Sequence, residues 1–141
     1  MDKISDNLYK TFVYDDRYKY ILEGLGNTLI ISFFAVIIGV ILGIIVSLVR
    51  NNYEVNGKGK ISNFIANSYV TIIRGTPVIL QLMIIYYVIF KSSDVNILIV
   101  GILAFGINSG AYVSEIIRSG INAIDKGQLE AGLALGLSYA K

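Results

Sequence analysis

The sequence predicts an all-α, polytopic transmembrane helix bundle, and two observations carry that prediction. Of its 141 residues, 55% are hydrophobic and 16% charged, with a mean hydropathy of +0.66, which is too apolar for an ordinary soluble domain. The apolar residues also fall into three long runs, whereas a globular core would draw on short amphipathic stretches.

Residues 1–27 are polar and tyrosine-rich, with Lys and Asp interleaved; they suit an interfacial lead-in to the membrane or, equally, a disordered tail. The apolar run from Leu29 to Val49 follows more than twenty largely polar residues. It is longer than the core of a secretory signal, about 7–15 residues, so it reads as a retained helix. This first span, residues 28–49, reaches about 33 Å at about 1.5 Å per residue, enough to cross hydrocarbon. Ala35, Gly39, Gly43 and Ser47 recur every four residues and form a smooth stripe that another helix backbone can approach closely.

Arg50 to Lys60 is expected to be a polar loop. Its three Lys/Arg favour a cytoplasmic location, but residues 1–20 hold four, so charge alone leaves the orientation open. The second span, residues 61–90, is helical in character and, at about 45 Å, too long to lie wholly in the hydrocarbon. Counting back from Phe90 puts Arg74 just inside the inner boundary, where it can snorkel, with Tyr86 and Tyr87 near the outer interface. Pro77 has no N–H for the carbonyl of Ile73 and biases Thr76 away from helical geometry. Arg74, Gly75, Thr76 and Pro77 are therefore a candidate hinge or kink.

A third span covers residues 96–118, where Gly106, Gly110 and Ser114 repeat the four-residue stripe. Residues 121–141 are less hydrophobic and amphipathic, with Leu129, Leu133 and Leu137 on one stripe and Gln128 and Glu130 beside it. By span parity they share the side of Arg50 to Lys60.

Composition also narrows the chemistry. The net charge of +2 is spread without a Lys/Arg cluster, which argues against nucleic acid as a partner. With no cysteine and no histidine, disulfides, Cys/His metal sites, thiol nucleophiles and histidine bases are excluded. The GKGK at 57–60 lacks the spacing and frame of a phosphate loop. Glu115, Asp125 and Glu130 read as scattered charges near the membrane surface, not as a catalytic or metal-binding set. No enzyme active site and no cofactor of this chain's own are expected. Gln81 and Asn108 are the polar side chains that cost most in hydrocarbon; they line a water-filled pathway or form an interhelical hydrogen bond.

Two stretches, RGTPVILQL at 74–82 and GAYVSEIIRSGINAIDKGQLEAGLALGLS at 110–138, follow a Gly-Asn-Thr-Leu opening of the first span at 26–29. Together they resemble the permease subunits of ABC importers for polar amino acids. In that family a cytoplasmic loop, marked by a Glu-Ala-Ala triplet and a later Gly (the EAA motif), forms a short coupling helix seated in a groove of the ATPase. Glu130, Ala131, Gly132 and Gly136 stand at those positions. The resemblance implies that Glu130 supplies the charged contact and that the small residues permit close approach. Gly132 replaces the usual alanine, at about 1 kcal/mol of helix stability.

The resemblance further implies a permease subunit that forms the translocation pathway and hydrolyses nothing itself. ATP and Mg would be held by a partner ABC ATPase. A second permease subunit, alike or different, and an extracytoplasmic solute-binding protein would complete the assembly. The chain would be multi-pass in a bacterial plasma (inner) membrane, amino terminus outside. It would hold three of about five spans and end within the coupling loop, as a fragment, an interrupted reading frame or a truncated form would. Two alternatives stay open: the same architecture carrying methionine, a peptide or an oxyanion, and a small membrane adaptor that transports nothing.

Overall fold

A backbone that crosses hydrocarbon must satisfy its own N–H and C=O groups, and a helix does so within one segment. The computed structural model describes residues 3–4, 9–91 and 94–136, and every regular element among them is helical. A π-helical turn at Tyr9–Val13 and a 3-10 turn at Tyr14–Asp16 lead into α1, Tyr18–Asn56. Then come α2 (Lys60–Gly75), α3 (Val78–Ile84) with a π-helical turn at Ile85–Ile89, α4 (Ile97–Asn122) and α5 (Lys126–Ala134).

The 39 residues of α1 extend past the apolar run at both ends. The stretch from Arg50 to Lys60, expected as a loop, is helical as far as Asn56 and turns only at Gly57–Gly59. Its polar residues find partners that favour the helix: Asn56 Nδ2 donates to Asn52 Oδ1 at 2.7 Å, and Arg50 and Glu54 are ion-paired to α4. Gly57 and Gly59 have φ of +66° and +82°, left-handed values that glycine adopts without steric cost. Gly57 N–H donates to the Tyr53 carbonyl at 2.9 Å.

The expected second span is two helices. Thr76 and Pro77 are both extended, and the chain bends by 109° between its two halves. Val78–Ile89 covers at most about 18 Å, against about 30 Å of hydrocarbon. This segment is thus a broken crossing or a re-entrant excursion, and the depth of Tyr86 and Tyr87 does not follow from counting along one axis. Among the described residues, α1 and α4 are each long and apolar enough to cross a membrane, and the bent pair makes a third crossing if its halves are taken together.

The main contact of the fold joins α1 to α4. The backbones come too close for side chains at two glycines: a Cβ on Gly39 would lie 2.6 Å from Ser109 Cβ, and one on Gly43 would lie 2.7 Å from Val113 Cβ. Further toward the amino terminus, Gly101 faces Ile31. Residue numbers rise together along the pair, so the helices run parallel, and the Gly57–Gly59 turn and α5 lie at the same end. Ala35, Gly39, Gly43 and Ser47 are buried on one side of this contact, and Gly106, Gly110 and Ser114 on the other. Ser47 and Ser114 return their hydroxyls to their own helix, donating to the carbonyls of Ile44 at 2.9 Å and Ala111 at 2.8 Å, so neither leaves an unmet donor in the contact.

Helix α2 joins the pair through Tyr69, whose hydroxyl donates to the Ile107 carbonyl of α4 at 2.6 Å. The returning segment packs on the first turns of α4, where Ile85, Val100 and Ala104 form the buried core with Leu82, Phe90, Val95 and Ile107 around it. Outward-facing positions of α1 are large and apolar, among them Phe33, Ile41, Ile45 and Leu48, the surface expected where lipid or further protein replaces water.

The close approach makes a sharp test. Gly39→Ala is expected to destabilise the protein by about 1–3 kcal/mol through overpacking, read as a lower melting temperature in detergent. Gly24→Ala, with open space around its Cβ, is expected to be neutral or slightly stabilising. Equal melting temperatures for the two variants would refute the parallel contact.

Candidate functional site

Two clusters of polar side chains lie inside this apolar frame, one at the helix break and one at the end that bears α5. At the break, the carbonyls of Ile72 and Ile73 lose the N–H groups that a continuous helix would supply from residues 76 and 77. Side chains replace them. Thr76 Oγ1 donates to the Ile72 carbonyl at 2.9 Å, and Gln81 Nε2 donates to the Ile73 carbonyl at 2.8 Å. The same amide reaches the Thr76 carbonyl at 3.1 Å and Thr76 Oγ1 at 2.8 Å. Its oxygen accepts from Asn108 Nδ2 of α4 at 3.2 Å.

Gln81 is buried, and both ends of its amide are engaged within the protein. Burial without such partners would cost about 1–3 kcal/mol. Of the two residues read as candidates to line a pathway, Gln81 thus serves the backbone of the break, while Asn108 is half-buried and commits one N–H to it. Of the hinge candidates, Gly75 and Pro77 are exposed, Thr76 is half-buried, and Arg74 turns away from the break toward α4.

The second cluster was not legible as such in the sequence. Arg50 of α1, only 8% exposed, is hydrogen-bonded and ion-paired to Glu115 of α4. The other carboxylate oxygen of Glu115 lies 3.4 Å from Arg74 of α2, whose guanidinium sits over the Tyr112 ring at 5.4 Å. One turn further, Arg118 Nη2 is 2.7 Å from Glu54 Oε1, with Nε donating to the same oxygen at 2.9 Å. Glu115, expected as a scattered surface charge, instead joins three helices. The available signal was the spacing: Arg50 and Glu54 one turn apart on one helix, Glu115 and Arg118 on another, placed at the same end by parity.

Beyond this cluster α4 ends at Asn122, and α5 starts on Asp125, whose Oδ1 accepts from Gly127 N–H at 2.8 Å as an N-terminal cap. Glu130 and Ala131 are exposed, Gly132 is half-buried, and Leu133 and Leu135 are exposed apolar side chains. Gly136 follows with a left-handed φ of +80°. Leu137 of the expected leucine stripe lies outside the described residues, as does the Leu129 side chain.

The capping role of Gln81 predicts that Gln81→Glu, which keeps the shape but loses the amide donors, and Gln81→Leu each lower stability by about 1–3 kcal/mol. Thermal unfolding in detergent is the measurement. Two variants as stable as the parent would refute the role.

Residues 35–141 match the family described as binding-protein-dependent transport system inner membrane component. The chain is 47% identical over 129 residues to the arginine transport system permease protein ArtQ of Bacillus subtilis, covering 86% of this chain and 54% of that protein. It is 40% identical over 126 residues to a putative glutamine transport system permease protein GlnP of Rickettsia prowazekii, covering 88% and 56%. Among solved structures, an amino acid ABC transporter crystallised with histidines matches at a TM-score of 0.70 and 35% identity, over 87% of this chain and 57% of that one. The chain spans about half the length of the curated relatives it matches. With the family matched over most of its length, the chain belongs to the binding-protein-dependent transport system inner membrane components, the permeases of ABC transporters.

Proposed function

We propose that these residues belong to the permease of an ABC importer for polar amino acids, arginine and glutamine being the cargoes named for the similar permeases. The observation that carries this reading is α5. A capped helix leaves the bundle at one end of the parallel α1–α4 pair and exposes Glu130, Ala131 and Leu133. A short helix whose small residues stand beside an exposed carboxylate and exposed leucines can seat in a groove on a partner. The partner here is the ABC ATPase, which holds ATP and Mg, with α5 on the cytoplasmic side and the amino terminus outside a bacterial plasma membrane.

In this scheme a solute-binding protein delivers the amino acid from outside, and a second permease subunit completes the pathway. Asn108, with its side-chain oxygen uncommitted among the described hydrogen bonds, is the residue we place toward the solute, while Gln81 holds the break behind it. Closure of the ATPase pair moves α5 and biases the membrane helices between two arrangements, which requires the ATPase to bind those arrangements unequally.

Two experiments test the reading. Glu130→Lys is expected to weaken association by about tenfold or more, since reversing a contact charge adds repulsion to the lost attraction; co-purification of the ATPase with the complete permease measures it, and unchanged recovery refutes the docking role. Whole-cell uptake is expected to show labelled arginine or glutamine transported in preference to methionine, a dipeptide or phosphate. Transport of one of those three instead would refute the cargo class.

A further inference from the structure

The ionic cluster carries an inference beyond the docking of α5. We infer that Glu115 is a positioning residue that couples the docking helix to the broken segment, through a fixed tie to Arg50 and an exchangeable one to Arg74. This rests on the proposed function in one respect, that α5 receives the ATPase's movement.

Helix α4 runs without interruption to Asn122, and its last turns are bonded on to Ala123, whose N–H donates to the Ser119 carbonyl at 3.0 Å. Only Ala123–Asp125 separate it from α5. A displacement of α5 therefore acts first on the end of α4 that holds Glu115 and Arg118. What that end drags with it depends on its ties.

The ties differ in kind. Arg50 is buried at 8% exposure, and a guanidinium there cannot lose Glu115, its one carboxylate partner among the described residues, without a large desolvation penalty. Arg50, and α1 with it, must follow Glu115. The Arg118 pair with Glu54 reinforces the same two helices. Arg74 is different: its side chain is 42% exposed and stands 3.4 Å from the carboxylate, so this contact is the looser of the two and the one open to exchange for another partner. It is also the last charged residue before Gly75, Thr76 and Pro77, where the chain turns by 109°. Making or releasing the contact between Arg74 and Glu115 therefore changes how firmly the break is held to the moving α1–α4 pair. Among the described residues three cations meet two carboxylates in this cluster, and Arg74 shares Glu115 with Arg50 at the longest of the three distances.

The test uses the complete permease with its ATPase and binding protein in proteoliposomes, measuring amino-acid uptake and ATP hydrolysis together. Arg74→Gln is expected to lower uptake per ATP by about tenfold while hydrolysis stays within about twofold, the range of an ordinary coupling energy. Glu115→Asp, which keeps the charge but shortens the reach, is expected to behave alike. Uptake per ATP unchanged in both variants would overturn the inference. Glu115→Gln leaves Arg50 unpaired and is expected to reduce folding. The exchange Arg50→Glu with Glu115→Arg is expected to restore folding but not coupling, because it sets two cations together at Arg74; full coupling in the exchange would overturn the inference. A parental complex that takes up no amino acid would count against the proposed function instead. The tie is then read from spin labels at the exposed positions Ile72 and Ile116, whose distance distribution is expected to broaden in Arg74→Gln. An unchanged distribution would overturn it.

Discussion

The parallel approach of α1 and α4 is the contact on which the rest of the fold depends. Lipid tails are as apolar as the side chains, so burial of leucine or isoleucine gives little drive for two helices to associate in a bilayer; close van der Waals contact does. Gly39 and Gly43 on one helix and Gly106 and Gly110 on the other supply it by removing the atoms that would hold the axes apart. The approach at Gly110 also makes room for Tyr69, so the same absence of side chain admits α2. Only because the two long helices lie in register do Arg50 and Glu54 arrive opposite Glu115 and Arg118.

The helix break shows a second constraint. A proline in a membrane helix frees carbonyl groups that no water is present to satisfy, so the break persists only where protein groups answer them. Thr76 and Gln81 answer the carbonyls of Ile72 and Ile73, and Asn108 fastens the arrangement to α4. The bend is thus a bonded structure with donors assigned, and it lies within a few residues of the ionic cluster through Arg74.

Parts of this architecture were legible in the sequence because they rest on local rules. Uninterrupted apolar runs mark α1 and α4 as helices, and Pro77 marks an interruption. The four-residue recurrence at Ala35, Gly39 and Gly43 puts those residues on one side of a helix, although the sequence does not say which helix they meet. The end of α1 is not legible because Arg50 and Glu54 look like loop residues until their partners, some sixty residues away, are known. The role of Gln81 was hidden for the same reason: a polar residue in an apolar run gives no sign of whether it faces a pathway or its own backbone until the angle of the break is fixed.

The distribution of large and small residues inverts the arrangement of a water-soluble protein. Among the described residues the largest fully buried side chains are Val100, Ser47 and Ser114, none bigger than valine. Most of the bulky apolar side chains lie outside. Tolerance to sequence change should be inverted with it. Exchanges among isoleucine, leucine, valine and phenylalanine on the outer faces meet a fluid neighbour where lipid covers them, while the addition of one methyl group at the smallest residues meets a second backbone. Drift in this chain is therefore confined from the small side of the amino-acid alphabet, and a record of its variation would show conserved emptiness where soluble proteins conserve volume.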